Sequence, residues 1–259
     1  MKLTPVLLAA LLFTSIHAVA QTTAPAPAPA AVVPVVALPP QKADVAAEKF
    51  GPDGKVNPGF IAAHERFVKL AAEGKAKLVF LGDSITAGWG KNQAIWDKAF
   101  GAYTPVNFGI GGDRTQHVLW RITHGELDGI APKAVVLMIG TNNTRDNTAE
   151  EIAKGVTAIV ETIRTKQPQA KILLLAVFPR GDKPDGKLGA SNDKLVQVNN
   201  IIAKLDDGKS VVFRDIGPRF SVTDGALSAA EMPDFLHLSP AGYEIWADAI
   251  APTLGELMQ

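Results

Sequence analysis

From residue 57 onward, two kinds of segment alternate along the chain. Continuous apolar runs stand at residues 78–81, 134–139 and 172–177, with a shorter one at 211–213, and a further short strand is expected around Val106 to Phe108. Unbroken apolar character marks strands buried on both faces of a parallel sheet. The intervening segments repeat at the helical period. Asn57-Pro58 supplies a cap and a first-turn proline for a helix carrying Ile61, Phe67, Val68 and Ala71. Thr148 and Glu151 have capping-box spacing ahead of Ile152, Val156, Ile159, Val160 and Ile163. Leu195, Val198, Ile202 and Leu205 form another stripe. Ser239-Pro240 opens a last helix with Tyr243, Trp246, Ala247, Ile250, Leu254 and Leu257 on one face. Pro252 is expected to kink that helix or end it early. Strands alternating with helices predict a doubly wound α/β sheet of about five parallel strands.

The first 41 residues follow another pattern. Lys2 precedes an apolar stretch over residues 6–13, and Ala18-Val19-Ala20 has small residues at both positions of an A-x-A cleavage site. This reads as a signal peptide cut after Ala20, so a periplasmic or secreted location is expected. Residues 21–41 hold Pro25, Pro27, Pro29, Pro34, Pro39 and Pro40. Proline removes backbone donors and favours extended geometry, so this is expected to be a disordered Ala/Pro-rich tether, with partner docking as its other possible use. A single domain over residues 42–259 remains. No later run reaches the roughly 18 apolar residues of a membrane span.

Composition narrows the chemistry. With 47% hydrophobic and 20% charged residues the chain can bury a core. Lys+Arg and Asp+Glu both number 26, which argues against nucleic-acid binding by phosphate neutralisation. There are 0 cysteines, so disulfides, thiol nucleophiles, Cys-ligated zinc and iron–sulfur clusters are excluded.

In a doubly wound sheet ligands bind beyond the carboxyl ends of the strands, so the residues after each run carry the information. Gly82-Asp83-Ser84 follows the first, and Ser84 is either a nucleophile or a helix cap. It is not the G-x-S-x-G elbow, because Thr86 stands where the second glycine belongs. The loop Asn107-Phe108-Gly109-Ile110-Gly111-Gly112-Asp113 is an oxyanion or phosphate cradle, or simply a turn; it lacks the dinucleotide fingerprint. Gly140-Thr141-Asn142-Asn143 offers an amide donor for an oxyanion, or an Asx turn. Asp234 and His237 stand before the last helix, three residues apart, where one turn can bring acid and imidazole together. Of the 5 histidines, His17 lies in the leader, His64 is expected to be solvated, and His117 and His124 fall in or beside a helix near residues 114–122. No H-x-x-x-H or H-E-x-x-H pair supports a metal.

Together these four blocks resemble the GDSL, or SGNH, hydrolases, most closely the platelet-activating-factor acetylhydrolase-like esterases. Further matches are His117-Val118-Leu119-Trp120-Arg121, Gln167-Pro168-Gln169-Ala170-Lys171 and Pro179-Arg180-Gly181. The resemblance implies a flavodoxin-like three-layer α/β/α sandwich and a serine ester hydrolase for short acyl groups, acetyl above all, without cofactor or metal. It makes Ser84 the nucleophile, His237 the base and Asp234 its orienting acid. The backbone N–H groups of Ser84 and Gly112 and the Asn142 side chain would form the oxyanion hole. Ile85, Trp120, Phe235 and Leu236 are candidates for the acyl pocket or for the core. Asn143 departs from the family's usual Asp, a feature of the acetylhydrolase-like subgroup. The expected substrate is an O-acetylated carbohydrate, with a short-chain phospholipid ester as the alternative. A non-catalytic phosphate- or sugar-binding module is the reading from another class. The subgroup's subunits dimerise, which leaves a homodimer open here.

Overall fold

A computed structural model describes residues 40–259. The segment read as a signal peptide and nearly all of the expected tether lie outside the described residues. Gln41, placed in the tether by composition, is already fixed to the body. Its side-chain NH2 donates to the Glu48 carbonyl at 2.8 Å, and its side-chain oxygen accepts from Gln116 at 3.3 Å.

Five strands form one parallel sheet: β1 (Leu78–Gly82), β2 (Pro105–Gly109), β3 (Ala134–Met138), β4 (Lys171–Leu175) and β5 (Val211–Arg214), in the order β2-β1-β3-β4-β5. All five expected strands are therefore present. A two-stranded antiparallel hairpin, β6 (Val222–Thr223) with β7 (Ala226–Leu227), was not legible from the pattern because each strand has 2 residues.

Pleating divides the core in two. Val79, Leu81, Val135, Leu137, Ile172 and Leu174 face a layer built from α1 (Pro58–Ala72), α4 (Thr115–Thr123), α5 (Ala149–Lys166) and α6 (Ala190–Ile202). Leu78, Phe80, Val136, Leu173 and Leu175 face the other layer, built on α2 (Ser84–Ala87), α3 (Gln93–Phe100) and α7 (Pro240–Leu257). The inner strands β1, β3 and β4 are thus covered on both sides, which is why their runs are unbroken, whereas the edge strand β2 is half-buried over its first three residues and admits Asn107. The caps behave as expected. Asn57 accepts from Phe60 N–H, Thr148 and Glu151 form a reciprocal capping box, and Ser239 accepts from Gly242 N–H.

Two expectations need correction. Helix α7 does not end early at Pro252 but continues to Leu257. Pro252 lies on the exposed face, while Ile250 and Leu254 on the other face are buried and hold the last turns to the sheet. His64 is buried, not solvated: its ring sits 3.5 Å from Glu126 and edge-on to Trp120. Among the described residues no helix is long and apolar enough to cross a membrane.

Candidate active site

The carboxyl ends of β1, β2 and β3 lie side by side, and three short segments leave them. After β1, Asp83 caps α2 by accepting from Ile85 N–H at 2.9 Å, which places Ser84 as the first residue of that short helix. Tyr243 on α7 donates its hydroxyl to the Ile85 carbonyl at 2.6 Å and ties α2 to the last helix. After β2, the Asn107 side chain donates to Thr86 O at 3.0 Å and accepts from Gly109 N–H at 2.9 Å. Gly109 is needed because any Cβ there would run into the backbone of Ala87. Gly112 has φ +70°, in the left-handed region that favours glycine. A Cβ built on Gly111 would lie 3.9 Å from that of Ser84, so this loop sits directly against the serine.

After β3, Thr141–Asn143 makes a single 3-10 turn. Asn142 donates through Nδ2 to the Asp113 carbonyl at 2.9 Å, and the same nitrogen is 3.4 Å from Asp83 Oδ2. Its neighbour Asn143 is buried and uses its amide fully. Nδ2 donates to Gln116 and Asn147, each at 3.0 Å, and Oδ1 accepts from Thr115 N–H at 3.0 Å. An aspartate could not make the two donations, which gives a physical account of the departure at this position.

The fourth segment precedes α7. Asp234 Oδ1 accepts from the backbone N–H groups of His237 at 2.6 Å and Leu236 at 3.1 Å. Its Oδ2 lies 2.6 Å from His237 Nδ1, and His237 Nε2 lies 2.8 Å from Ser84 Oγ. With the carboxylate accepting at Nδ1, the imidazole lone pair at Nε2 faces the serine hydroxyl. Partial burial opposes ionisation of Asp234, but the hydrogen bonds from the His237 ring and backbone hold its carboxyl below the usual range. Phe235, between them, has φ +58° and accepts from Gly181 N–H at 2.8 Å, so the turn is strained and clamped.

Beneath the serine lies a polar layer that composition did not reveal. Arg121 is fully buried. It donates to Asp113 Oδ2 at 2.9 Å and to the carbonyls of Phe108 at 3.0 Å and Gly82 at 3.4 Å, and it pairs with Glu126. One guanidinium thereby binds the ends of β1 and β2 and the loop that carries Gly112. The motif block containing Arg121 was visible in the sequence; its burial was not, because arginines are mostly exposed. Burial pushes the Asp83 carboxyl up to about 7, against the Ile85 hydrogen bond. Burial also raises Asp113 to about 6, with Arg121 the chief opposing influence.

The pocket candidates separate. Ile85 is buried in the core with Phe80 and Trp89. Trp120 packs against Phe60 and His64 and stacks on His124 at 4.2 Å, so it joins α4 to α1 instead of lining the cleft. Both were apolar residues near motif blocks, and their packing decides their role. Phe235 and Leu236 stay beside His237 and pack on the α7-side core. The cavity that Gly112 and Asn142 line is instead polar, with Thr141, Thr144, Arg180 and Ser191.

A serine, an imidazole and a carboxylate in hydrogen-bonded series at one edge of a 2-1-3-4-5 parallel sheet define the geometry of an acyl-transfer enzyme. Residues 80–245 match the GDSL-like Lipase/Acylhydrolase family. The chain belongs to that family, an SGNH-type ester hydrolase. It is 44% identical over 184 residues to the platelet-activating factor acetylhydrolase IB subunit alpha2 of Rattus norvegicus, covering 71% of this chain and 78% of that protein. In fold it is similar to a GDSL-like lipase from Bacteroides thetaiotaomicron, with a TM-score of 0.62 at 20% identity over 74% of this chain and 97% of that one. A carbohydrate acetylesterase family member from Sinorhizobium meliloti superposes with a TM-score of 0.55 at 18% identity, over 70% and 98% of the two chains.

Proposed function

We propose that this protein is exported and hydrolyses acetyl and other short acyl esters, using Ser84 as nucleophile, His237 as general base and Asp234 as the acid that orients it. The observation that carries this reading is the pair of contacts at the His237 ring, 2.8 Å to Ser84 Oγ and 2.6 Å to Asp234 Oδ2. His237 Nε2 takes the hydroxyl proton as Ser84 Oγ attacks the ester carbonyl, and the carbonyl electrons move onto oxygen. Asp234 stabilises the imidazolium. The N–H groups of Ser84 and Gly112 and the Asn142 amide receive the oxyanion. Asn142 keeps one N–H on Asp113 O and turns the other, now 3.4 Å from Asp83 Oδ2, to substrate. His237 then gives its proton to the departing alcohol. Water, deprotonated by the same ring, attacks the acyl-enzyme and restores Ser84. Each oxyanion donor contributes on the order of 10²–10³ in rate.

The substrate we favour is an O-acetylated carbohydrate. Supporting it are the hydroxyl and guanidinium lining of the cavity beside Asn142 and the leader-like residues 1–20, which point to export. The second reading, a short-chain phospholipid acetyl ester, is supported by the 44% identity to an acetylhydrolase subunit. Acetate release from acetylated xylan set against a short-chain phospholipid separates the two. Ser84→Ala is expected to abolish p-nitrophenyl acetate hydrolysis and fluorophosphonate labelling; retained turnover would refute the mechanism. A binding module without catalysis would leave Ser84 unlabelled in the native protein.

A further inference from the structure

Residues 41–57 precede the part of the chain that matches the family, and they form a strap across the start of α4. The Thr115 hydroxyl donates to the Ala43 carbonyl at 2.7 Å, and the Ala47 N–H donates to the Gln116 carbonyl at 3.1 Å. The Asn57 N–H donates to the Lys49 carbonyl at 2.7 Å. Ala43 is buried, and Gly155 on α5 makes room for it: a Cβ there would come within 2.5 Å of the Ala43 carbonyl oxygen. The strap thus offers a fixed backbone from which Lys49 reaches the loop after β2.

Lys49 Nζ donates to the Gly111 carbonyl and lies 3.5 Å from Asp113 Oδ1. A Cβ built on Gly112 would lie 3.1 Å from the same ammonium. The Gly111 carbonyl and the Gly112 N–H belong to one peptide unit. That unit is planar and trans, so the two groups point in opposite directions, and whatever fixes the carbonyl fixes the N–H. Glycines stand on both sides of this peptide, and without a Cβ on either it can turn over at little steric cost. A contact from outside the loop is therefore what selects one orientation. Among the described residues nothing accepts from the Gly112 N–H, so this donor is free for an oxyanion. A hydrogen bond received at the carbonyl also polarises the amide and strengthens its N–H as a donor. The Asp113 carboxylate beside the ammonium offsets its longer-range field, so the influence of Lys49 passes through the shared peptide.

We infer that Lys49 is a positioning residue for the oxyanion hole: by holding the Gly111 carbonyl it keeps the Gly112 N–H turned to the opposite side, toward the charge that develops on the ester oxygen. The inference rests on the proposed esterase reading and adds to it a residue from outside the family blocks. Arg121 fixes the same loop from beneath through Asp113 and Phe108, while Lys49 acts on the one peptide that carries the donor.

The test is steady-state kinetics on p-nitrophenyl acetate combined with 15N-glycine labelling of the full chain. Lys49→Met is expected to lower kcat about ten-fold, short of the 10²–10³ or so that loss of a whole donor costs, with KM changed less than about two-fold. Lys49→Gln, whose donor falls one bond short of the carbonyl, is expected to show the same loss and serves as the second variant should methionine disturb the fold. Lys49→Arg keeps a charged donor and is expected to recover most of the rate. The Gly112 amide resonance reads the peptide directly: it is expected to move in Lys49→Met and to return toward its native position in Lys49→Arg. A residue that merely fastened the strap would lower Tm without moving kcat and that resonance together. A kcat within about two-fold of the native value in both Lys49→Met and Lys49→Gln would overturn this inference and leave the esterase reading standing. A lowered kcat with the Gly112 resonance unmoved would overturn it as well. Native protein that turns over no ester would bring down the esterase reading itself.

Discussion

Replacing Arg121 tests the idea that one buried guanidinium holds the strand ends in place. Arg121→Met keeps much of the volume and removes every donor. Asp113 is then left with Lys49 alone, 3.5 Å away, Glu126 loses its guanidinium partner, and the carbonyls of Phe108 and Gly82 lose a donor. Breaking a buried ion pair by removing one partner costs about 3–5 kcal/mol. For a chain of this size that lowers Tm by about 10 °C. The loss has a definite pH dependence. Asp113 already titrates up at about 6, and without Arg121 its folded pKa rises further. A folded carboxyl above its unfolded value of about 3.9 binds protons that the unfolded chain does not. The variant therefore gains stability as pH falls from 8 toward 5, and its deficit against the native protein is greatest at pH 8. Urea unfolding at pH 8.0 and 5.5 measures both, with the m-value checking two-state behaviour. Adding Asp113→Asn and Glu126→Gln is expected to recover part of the loss by removing the stranded charges. A deficit under about 1 kcal/mol, or one equal at the two pH values, would refute this account of the layer.

Asn143→Asp replaces two donations with acceptor–acceptor contacts at Gln116 and Asn147, so about 3 kcal/mol is expected to be lost at pH 8, and less at pH 4.5 where the carboxyl regains a proton. Asp83→Asn bears on a carboxyl whose folded pKa, about 7, stands above its unfolded value; the native protein thus loses stability as pH climbs from about 4 to 7, and the variant's stability curve should be flatter there by calorimetry. Under the proposed mechanism Asn142→Ala lowers kcat by on the order of 10²–10³ with a smaller change in KM, read by steady-state kinetics on p-nitrophenyl acetate. An unchanged kcat would remove Asn142 from the oxyanion hole.

What can be read along the chain is local. Strand β3 announces itself because both faces of Ala134–Met138 are covered, leaving no polar position to break the run. Helix α5 announces itself because Thr148 and Glu151 satisfy each other across one turn. The chemical blocks were legible for a related reason: a doubly wound sheet sends whatever follows each strand to one edge, so topology alone brings Ser84, Gly112 and Asn142 together. The contact of Ser84 with His237, which the family resemblance implies and no local pattern does, spans 153 positions and is made as α7 packs back over the sheet, pinned through Tyr243 to Ile85. Distance in sequence hid the rest. Trp120 and His64 look like a pocket wall and a solvated ring until α1 lies against α4 and closes them on each other. Arg121 looks like any surface arginine until Asp113, Glu126 and two carbonyls surround it. Periodicity and capping depend on neighbours a few residues away and are written into the chain; burial and charge pairing depend on which distant segments meet, and only the folded molecule decides that.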